Sequence, residues 1–173
     1  VDEAHGGEAG PYAMHAMYDE MACGANASFT MYPGLTTGVA EVVETFGSDE
    51  QKKKYLPGLY DGTHAGTMCL TEPQAGSDVG ASTCKAVSLG DGMYEIEGTK
   101  LFISAGDHDL SKNILHLVLA RTPDAPAGTK GISLFIVPKI WVNEDGSLGE
   151  DNDVVCTAIE EKLGIHGSPT CQM

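Results

Sequence analysis

The sequence predicts an α+β chain: a short helical segment followed by an antiparallel β-barrel-like domain. Three observations predict it. Before residue 60, apolar side chains recur at spacings of three and four, as one helix face requires. After Gly62 they fall instead into short β-like runs, each bounded by turn residues. Turns come at regular intervals along that second part, a rhythm typical of sandwiches and barrels. The boundary is therefore set near residue 60, giving regions 1–60 and 61–173.

A first helix is predicted from Pro11 to about Ala22. Proline suits a first helical turn, and Met14, Met17, Tyr18 and Met21 share one face, which is expected to pack in the core. A second helix is predicted over Leu35–Phe46, with Gly47 as its stop. Ser48-Asp49-Glu50-Gln51 has the form of a capping box. It should open a short helix to about Tyr55 that Pro57-Gly58 breaks, and Lys52-Lys53-Lys54 is expected to be a solvated face of it. Strands are predicted at Gly66–Leu70, Ser82–Ser88, Tyr94–Ile103, Ile114–Ala120 and Ile132–Val137. Gly90-Asp91-Gly92 is a hairpin turn between two of them. Thr122 to Gly131 is a long loop, and Gly146 to Asp153 reads as a solvated hairpin loop that lacks the ligand pattern of an EF-hand.

Composition narrows the function classes. Net charge is −15 with a single arginine, Arg121. That excludes the basic surface a nucleic-acid phosphate backbone needs. No run approaches the roughly 18 to 20 apolar residues of a membrane span. No signal peptide is visible at the start, and both ends read as cut from a longer protein. The cysteines are Cys23, Cys69, Cys84, Cys156 and Cys171, an odd and scattered set. Buried free thiols in a reducing, cytoplasmic setting are expected rather than disulfides or zinc. The six histidines show no helical metal-binding pair, and no metal site is predicted.

Two phrases carry the chemistry: Met68-Cys-Leu-Thr-Glu-Pro-Gln-Ala-Gly-Ser-Asp78 and Lys100-Leu-Phe-Ile-Ser-Ala-Gly106. Thr71, Ser77 and Ser104 offer short hydroxyls, and Gly76 allows a backbone to approach closely. The combination suits a flat, phosphate-linked ligand, although glycine-and-serine segments between strands read first as turns.

Together, in this order and spacing, the phrases resemble the acyl-CoA dehydrogenase family. Its middle domain carries a Thr-Glu-Pro-x-x-Gly-Ser-Asp motif and a later Trp-Ile-Thr-type motif. The resemblance covers nearly the whole chain, including His5-Gly6-Gly7, Tyr32-Pro33-Gly34, Gly47 to Pro57, Lys162-Leu163-Gly164-Ile165 and Ser168-Pro169-Thr170. Residues 1–60 resemble the end of the family's N-terminal helical domain, and 61–173 its middle β domain. Phe102 to Leu110, Ala120 to Phe135 and Asp145 to Gly149 are similar to a longer-chain subset that includes 3-methylthiopropanoyl-CoA dehydrogenases.

The resemblance implies α,β-dehydrogenation of an acyl-CoA thioester with FAD as hydride acceptor. It implies that Met68, Leu70 and Thr71 lie along the isoalloxazine, with Gly76 and Ser77 at the FAD pyrophosphate and the acyl-CoA entrance. Phe102 would pack on the flavin with Ile103 beside it, and the Ser104 hydroxyl would approach N5. Thr129 would touch the coenzyme A part. Phe102 stands where many members have tryptophan, and Ser104 where threonine is commoner. The family's catalytic glutamate comes from a C-terminal helical domain, so no catalytic residue is assigned here, and these 173 residues alone are expected to be inactive. Glu72 is expected to be a hydrogen-bonding or ion-pair residue. Basic residues for the anionic ligands are expected from outside the chain. An electron-transfer flavoprotein or similar acceptor is the implied redox partner, and a homodimer or homotetramer the implied assembly. The rival readings are an acyl-CoA oxidase or nitroalkane oxidase on the same scaffold, and a non-catalytic flavin-binding module.

Overall fold

The computed structural model describes residue 1 and residues 3–173. Asp2, part of the acidic opening, lies outside the described residues. Helix α1 spans Tyr12–Phe46 and is longer than the two predicted helices combined. It bends at Asn26, whose φ of −158° and ψ of 90° are extended. The Asn26 side-chain oxygen accepts from the Phe29 amide at 3.1 Å, so Asn26 caps the second half as it ends the first. Pro33 also lies inside this helix. Sequence periodicity lost the stretch between because Gly24, Asn26 and Pro33-Gly34 all read locally as breakers.

Helix α2 spans Asp49–Tyr60 and opens with the predicted capping box, Ser48 accepting from the Gln51 amide while Gln51 accepts from the Ser48 amide. Pro57 does not break it. A proline there forgoes only the bond to the Lys53 carbonyl, while Tyr55, Leu56 and Leu59 anchor the turn in the core. Of the lysine run, Lys53 is exposed and Lys54 lies 3.7 Å from Glu144.

Among the described residues ten strands follow: β1 (His64–Cys69), β2 (Lys85–Gly90), β3 (Met93–Glu97), β4 (Ile103–Ser104), β5 (Asn113–Ala120), β6 (Ser133–Pro138), β7 (Ile140–Val142), β8 (Leu148–Asp151), β9 (Ala158–Ile159) and β10 (Thr170–Gln172). The expectation of an antiparallel barrel is corrected on two counts. The strands form separate sheets, β1-β5-β6, β4-β10-β9, β2-β3 and β7-β8, and these do not close into a barrel. β1 and β5 run parallel, from His64 opposite Asn113 to Cys69 opposite Val118. The intervening β2–β4 segment is the long crossover that a parallel pair requires. The Gly90-Asp91-Gly92 turn is present: Asp91 and Gly92 both have positive φ, 51° and 75°, as the tight turn joining β2 to β3 demands. The predicted solvated hairpin segment Gly146 to Asp153 is mostly exposed, and within it Leu148–Asp151 form β8, paired antiparallel with β7.

The main core lies where α1 and α2 pack against the sheet formed by β1 and β5. Val39, Ala40, Val43, Tyr55, Leu56 and Leu59 pack there on Leu115, Leu117 and Val142. Gly66 in β1 makes the contact possible, because a Cβ there would lie 2.6 Å from the Val39 side chain. The Gly66 amide also donates to Thr36 Oγ1 at 3.1 Å. A smaller cluster of Cys69, Ile103 and Val118 lies under the second phrase. The methionine face of α1 is corrected as well. Met14, Met17 and Met21 are 62%, 63% and 68% exposed, since the half of α1 before Asn26 contributes nothing to the core clusters. Among the described residues, no helix is long and apolar enough to cross a membrane.

Candidate functional site

One buried ion pair fastens the two phrases together. Lys100 Nζ donates to Glu72 Oε1 at 2.8 Å and to the Leu70 carbonyl at 3.1 Å. Both side chains are nearly sealed from water. Glu72 also accepts from the Thr83 and Cys84 amides, the Thr83 hydroxyl and the Gln74 amide. Burial acts to raise the Glu72 carboxyl pKa, but the hydrogen bonds from Lys100, Thr83, Cys84 and Gln74 outweigh it and pull it down to about 2. Glu72 is thus the ion-pair residue expected of it, held as a carboxylate with its oxygens already engaged. Lys100 as its partner was not read from the sequence. A lysine three residues before a strand carries no local mark of burial, and only the fold brings it 2.8 Å from a carboxylate 28 residues away.

The same join places most of the predicted ligand residues. The Leu101 amide donates to the Thr71 carbonyl at 2.8 Å, setting the first phrase beside the second. Leu70, Thr71 and Ser104 are half-buried, and Met68 and Phe102 are exposed. Phe102 has φ of 59°, in the left-handed region that a bulky side chain rarely enters. Its neighbours impose this. Lys100 exchanges both main-chain bonds with Met173 at 2.8 Å, Ile103 is 2% exposed, and the Ala105 amide donates to the Pro169 carbonyl. With both flanks anchored, the Phe102 ring is left 58% exposed. Ile103 differs from its neighbours: its side chain packs with Cys69 and Val118.

Gly76, Ser77 and Thr129 are exposed and belong to a second group. Ser77 precedes a 3-10 turn at Val79–Ala81, and Thr129 opens another at Thr129–Gly131. The turns touch: a Cβ on Gly80 would lie 3.4 Å from Gly128 Cα and 3.6 Å from the Thr129 nitrogen. Gly76 has no structural need to be glycine, since a Cβ there would meet only Thr71 Cγ2, at 3.9 Å.

A concavity of about 1060 Å³ opens between the end of α1, the β2–β3 hairpin and β6. It is lined by Cys69 and Lys100 but by none of the exposed ligand candidates Met68, Gly76, Ser77, Phe102 and Thr129. His116 also reaches it. Burial pushes the His116 pKa down to about 4, so the ring is neutral at physiological pH, with Nδ1 2.7 Å from Thr67 Oγ1. All cysteines are free; Cys69, Cys84 and Cys171 are buried, whereas Cys23 is exposed and Cys156 half-buried. Burial pushes the Cys69 and Cys171 thiols up to about 11, leaving both protonated.

Residues 67–173 match the family described as acyl-CoA dehydrogenase, middle domain, and residues 1–63 match acyl-CoA dehydrogenase, N-terminal domain. The chain is 50% identical over 169 residues to 3-methylmercaptopropionyl-CoA dehydrogenase of Ruegeria pomeroyi, covering 98% of this chain and 29% of that relative. Among solved structures it is similar to an acyl-CoA dehydrogenase from Geobacillus kaustophilus, with a TM-score of 0.79 and 29% identity over 99% of this chain and 42% of that one. It is also similar to an acyl-CoA dehydrogenase complexed with FAD from Bacillus anthracis, with a TM-score of 0.73 and 29% identity over 99% of this chain and 26% of that one. On the span of the family match and the identity to its relatives, the chain belongs to the acyl-CoA dehydrogenase family.

Proposed function

We propose that this chain supplies the flavin face and the thioester entrance of an FAD-dependent enzyme that oxidises an acyl-CoA at its α,β carbon–carbon bond. The observation that carries the reading is Phe102, a strained aromatic held outward at φ of 59° and joined through Leu101 to Thr71. Strained residues cluster at ligand sites, and this one is held by its anchored flanks with its ring free to meet a ligand. Residues 1–60 belong in this reading to the N-terminal helical domain and 61–173 to the middle domain.

The residues present fit FAD at its ring end. Phe102 and Met68 offer apolar surface for an isoalloxazine, and Thr71 and Ser104 hydroxyls for its polar edge. Ile103 contributes through its main chain, its side chain being spent in the core. Gly76 and Ser77 suit the pyrophosphate. The fixed cations for that end are not offered by the buried Lys100, and we assign them to sequence outside these residues, as we do the carboxylate that removes the α-proton. Bound here, FAD would supply the hydride acceptor. Ser77 and Thr129 flank the path for the coenzyme A part. Kinship within the family to the subset that includes 3-methylthiopropanoyl-CoA dehydrogenases, an electron-transfer flavoprotein or similar acceptor, a dimeric or tetrameric assembly and a cytoplasmic setting complete the proposal.

The glycine at position 76 has its reason in the ligand, because the fold leaves a Cβ room. Gly76→Ala in the full-length gene product is expected to change stability by less than about 0.5 kcal/mol and to weaken FAD binding about tenfold, read by thermal melting and flavin titration. Equal FAD affinity in the variant contradicts the assignment. The function itself is tested by adding short-, medium- and long-chain acyl-CoA anaerobically to the purified full-length protein. Bleaching of the flavin absorbance is expected, and an unchanged spectrum with every thioester rejects the dehydrogenase reading.

A further inference from the structure

Arg121, the one arginine of a chain with net charge −15, is spent on main-chain carbonyls. It follows β5 directly. Its Nε donates to the Ser82 carbonyl at 2.8 Å, Nη1 to Pro126 at 3.0 Å, and Nη2 to Gly80 at 2.7 Å and Gly128 at 2.6 Å. Its backbone is fixed as well, since the Arg121 amide donates to the Cys84 carbonyl and its carbonyl accepts from the Ala86 amide, both at 2.8 Å. Among the described residues it forms no ion pair with a carboxylate.

Two of those carbonyls belong to the turn after Ser77 and two to the loop that carries Thr129. The guanidinium therefore staples the Gly80–Ser82 turn to the Pro126–Gly128 loop, two segments far apart in sequence. A planar fork with several donors does this; a lysine ammonium, a compact point charge, does not reproduce it. The staple also sets orientation. A trans peptide points its C=O and the next N–H in opposite directions. The Gly128 carbonyl, aimed at Arg121, thus turns the Thr129 N–H the other way.

We propose that Arg121 is a positioning residue for the phosphate-bearing end of the thioester substrate, fixing the spacing of the Ser77 and Thr129 loops without touching the substrate itself. The inference rests on the proposed acyl-CoA reading and adds to it which residue sets the entrance. The acyl end, held elsewhere, does not depend on it.

The test compares two thioesters on the full-length enzyme, at saturating FAD because Ser77 is also assigned to the flavin: an acyl-CoA, and the matching acyl-pantetheine, which lacks the nucleotide and its phosphates. Arg121→Lys is expected to raise KM for the acyl-CoA about tenfold, with kcat within about twofold, and to leave the acyl-pantetheine parameters unchanged. Gly80→Val provides a second route should Arg121→Lys fail to fold. Its Cβ alone would already touch Gly128 Cα at 3.4 Å and the Thr129 nitrogen at 3.6 Å, so the methyl groups beyond it press the loops apart with Arg121 intact, and the same selective rise in KM is expected. Equal effects on both thioesters, or no effect on either, overturn the inference. Absence of turnover in the unsubstituted enzyme overturns the underlying reading too, and is seen before any variant is compared.

Discussion

Glu72→Ala is expected to destabilise the protein by about 3–5 kcal/mol, because it leaves the Lys100 ammonium buried without its carboxylate. Lys100 is 3% exposed and has no other anion among its hydrogen-bond partners, so relaxation toward water requires the second phrase to move. The loss should also reach the ligand face, since Lys100 holds the Leu70 carbonyl next to Thr71. Chemical denaturation of single and double variants separates the contributions. Glu72→Gln combined with Lys100→Met removes both charges together and should recover most of the stability. If the double variant is no better than Glu72→Ala, the pair is not what fastens the phrases.

The same pair fixes an acid response. The Glu72 carboxyl has its pKa lowered from 4.5 to about 2 in the folded chain. Its contribution of about 3 kcal/mol is therefore fully present above pH ~4.5 and is lost as pH falls through that range toward 2. The difference in stability between the parent and Glu72→Gln should shrink across that window and stay constant above it.

Phe102→Gly is expected to separate binding from stability. Glycine adopts φ of 59° freely, so the substitution relieves about 1–2 kcal/mol of backbone strain. The exposed ring contributes little to the core that would offset this gain. FAD affinity of the full-length protein should fall by at least about tenfold, because the aromatic plate is gone. Phe102→Trp is expected to retain it. A Phe102→Gly protein that melts lower and binds FAD normally would mean that the ring serves packing, not the flavin.

What was legible in the sequence was local. The capping box at Ser48 and the turn at Asp91-Gly92 are written in a few adjacent residues, and both are present. The run of α1 through Pro33 and of α2 through Pro57 is not legible, because tertiary packing of Val39, Leu56 and their neighbours overrides residues that locally read as breakers, whereas Asn26 does interrupt α1 as its type suggests. Pairing was legible only within hairpins. The parallel union of β1 with β5 joins strands separated by three others, and no short-range pattern encodes it. The methionine face shows the opposite failure: its period is helical, but periodicity does not say whether anything covers it.

The candidate site divides in the same way. The two phrases stood out as sequence and the fold joins them, through Leu101 to Thr71 and Lys100 to Glu72. The left-handed turn at Phe102 was invisible, since phenylalanine is among the last residues one would assign to it. Arg121 was noticed only as a lone charge. Its four carbonyl partners lie on two loops that the sequence treats separately.

The most direct measurement is an experimental structure of the full-length protein with FAD bound. The account predicts the isoalloxazine against Phe102, with the Thr71 and Ser104 hydroxyls at its polar edge and the pyrophosphate over Gly76 and Ser77. A flavin seated elsewhere, with the Phe102 ring packed under protein and away from it, would contradict the account at its centre.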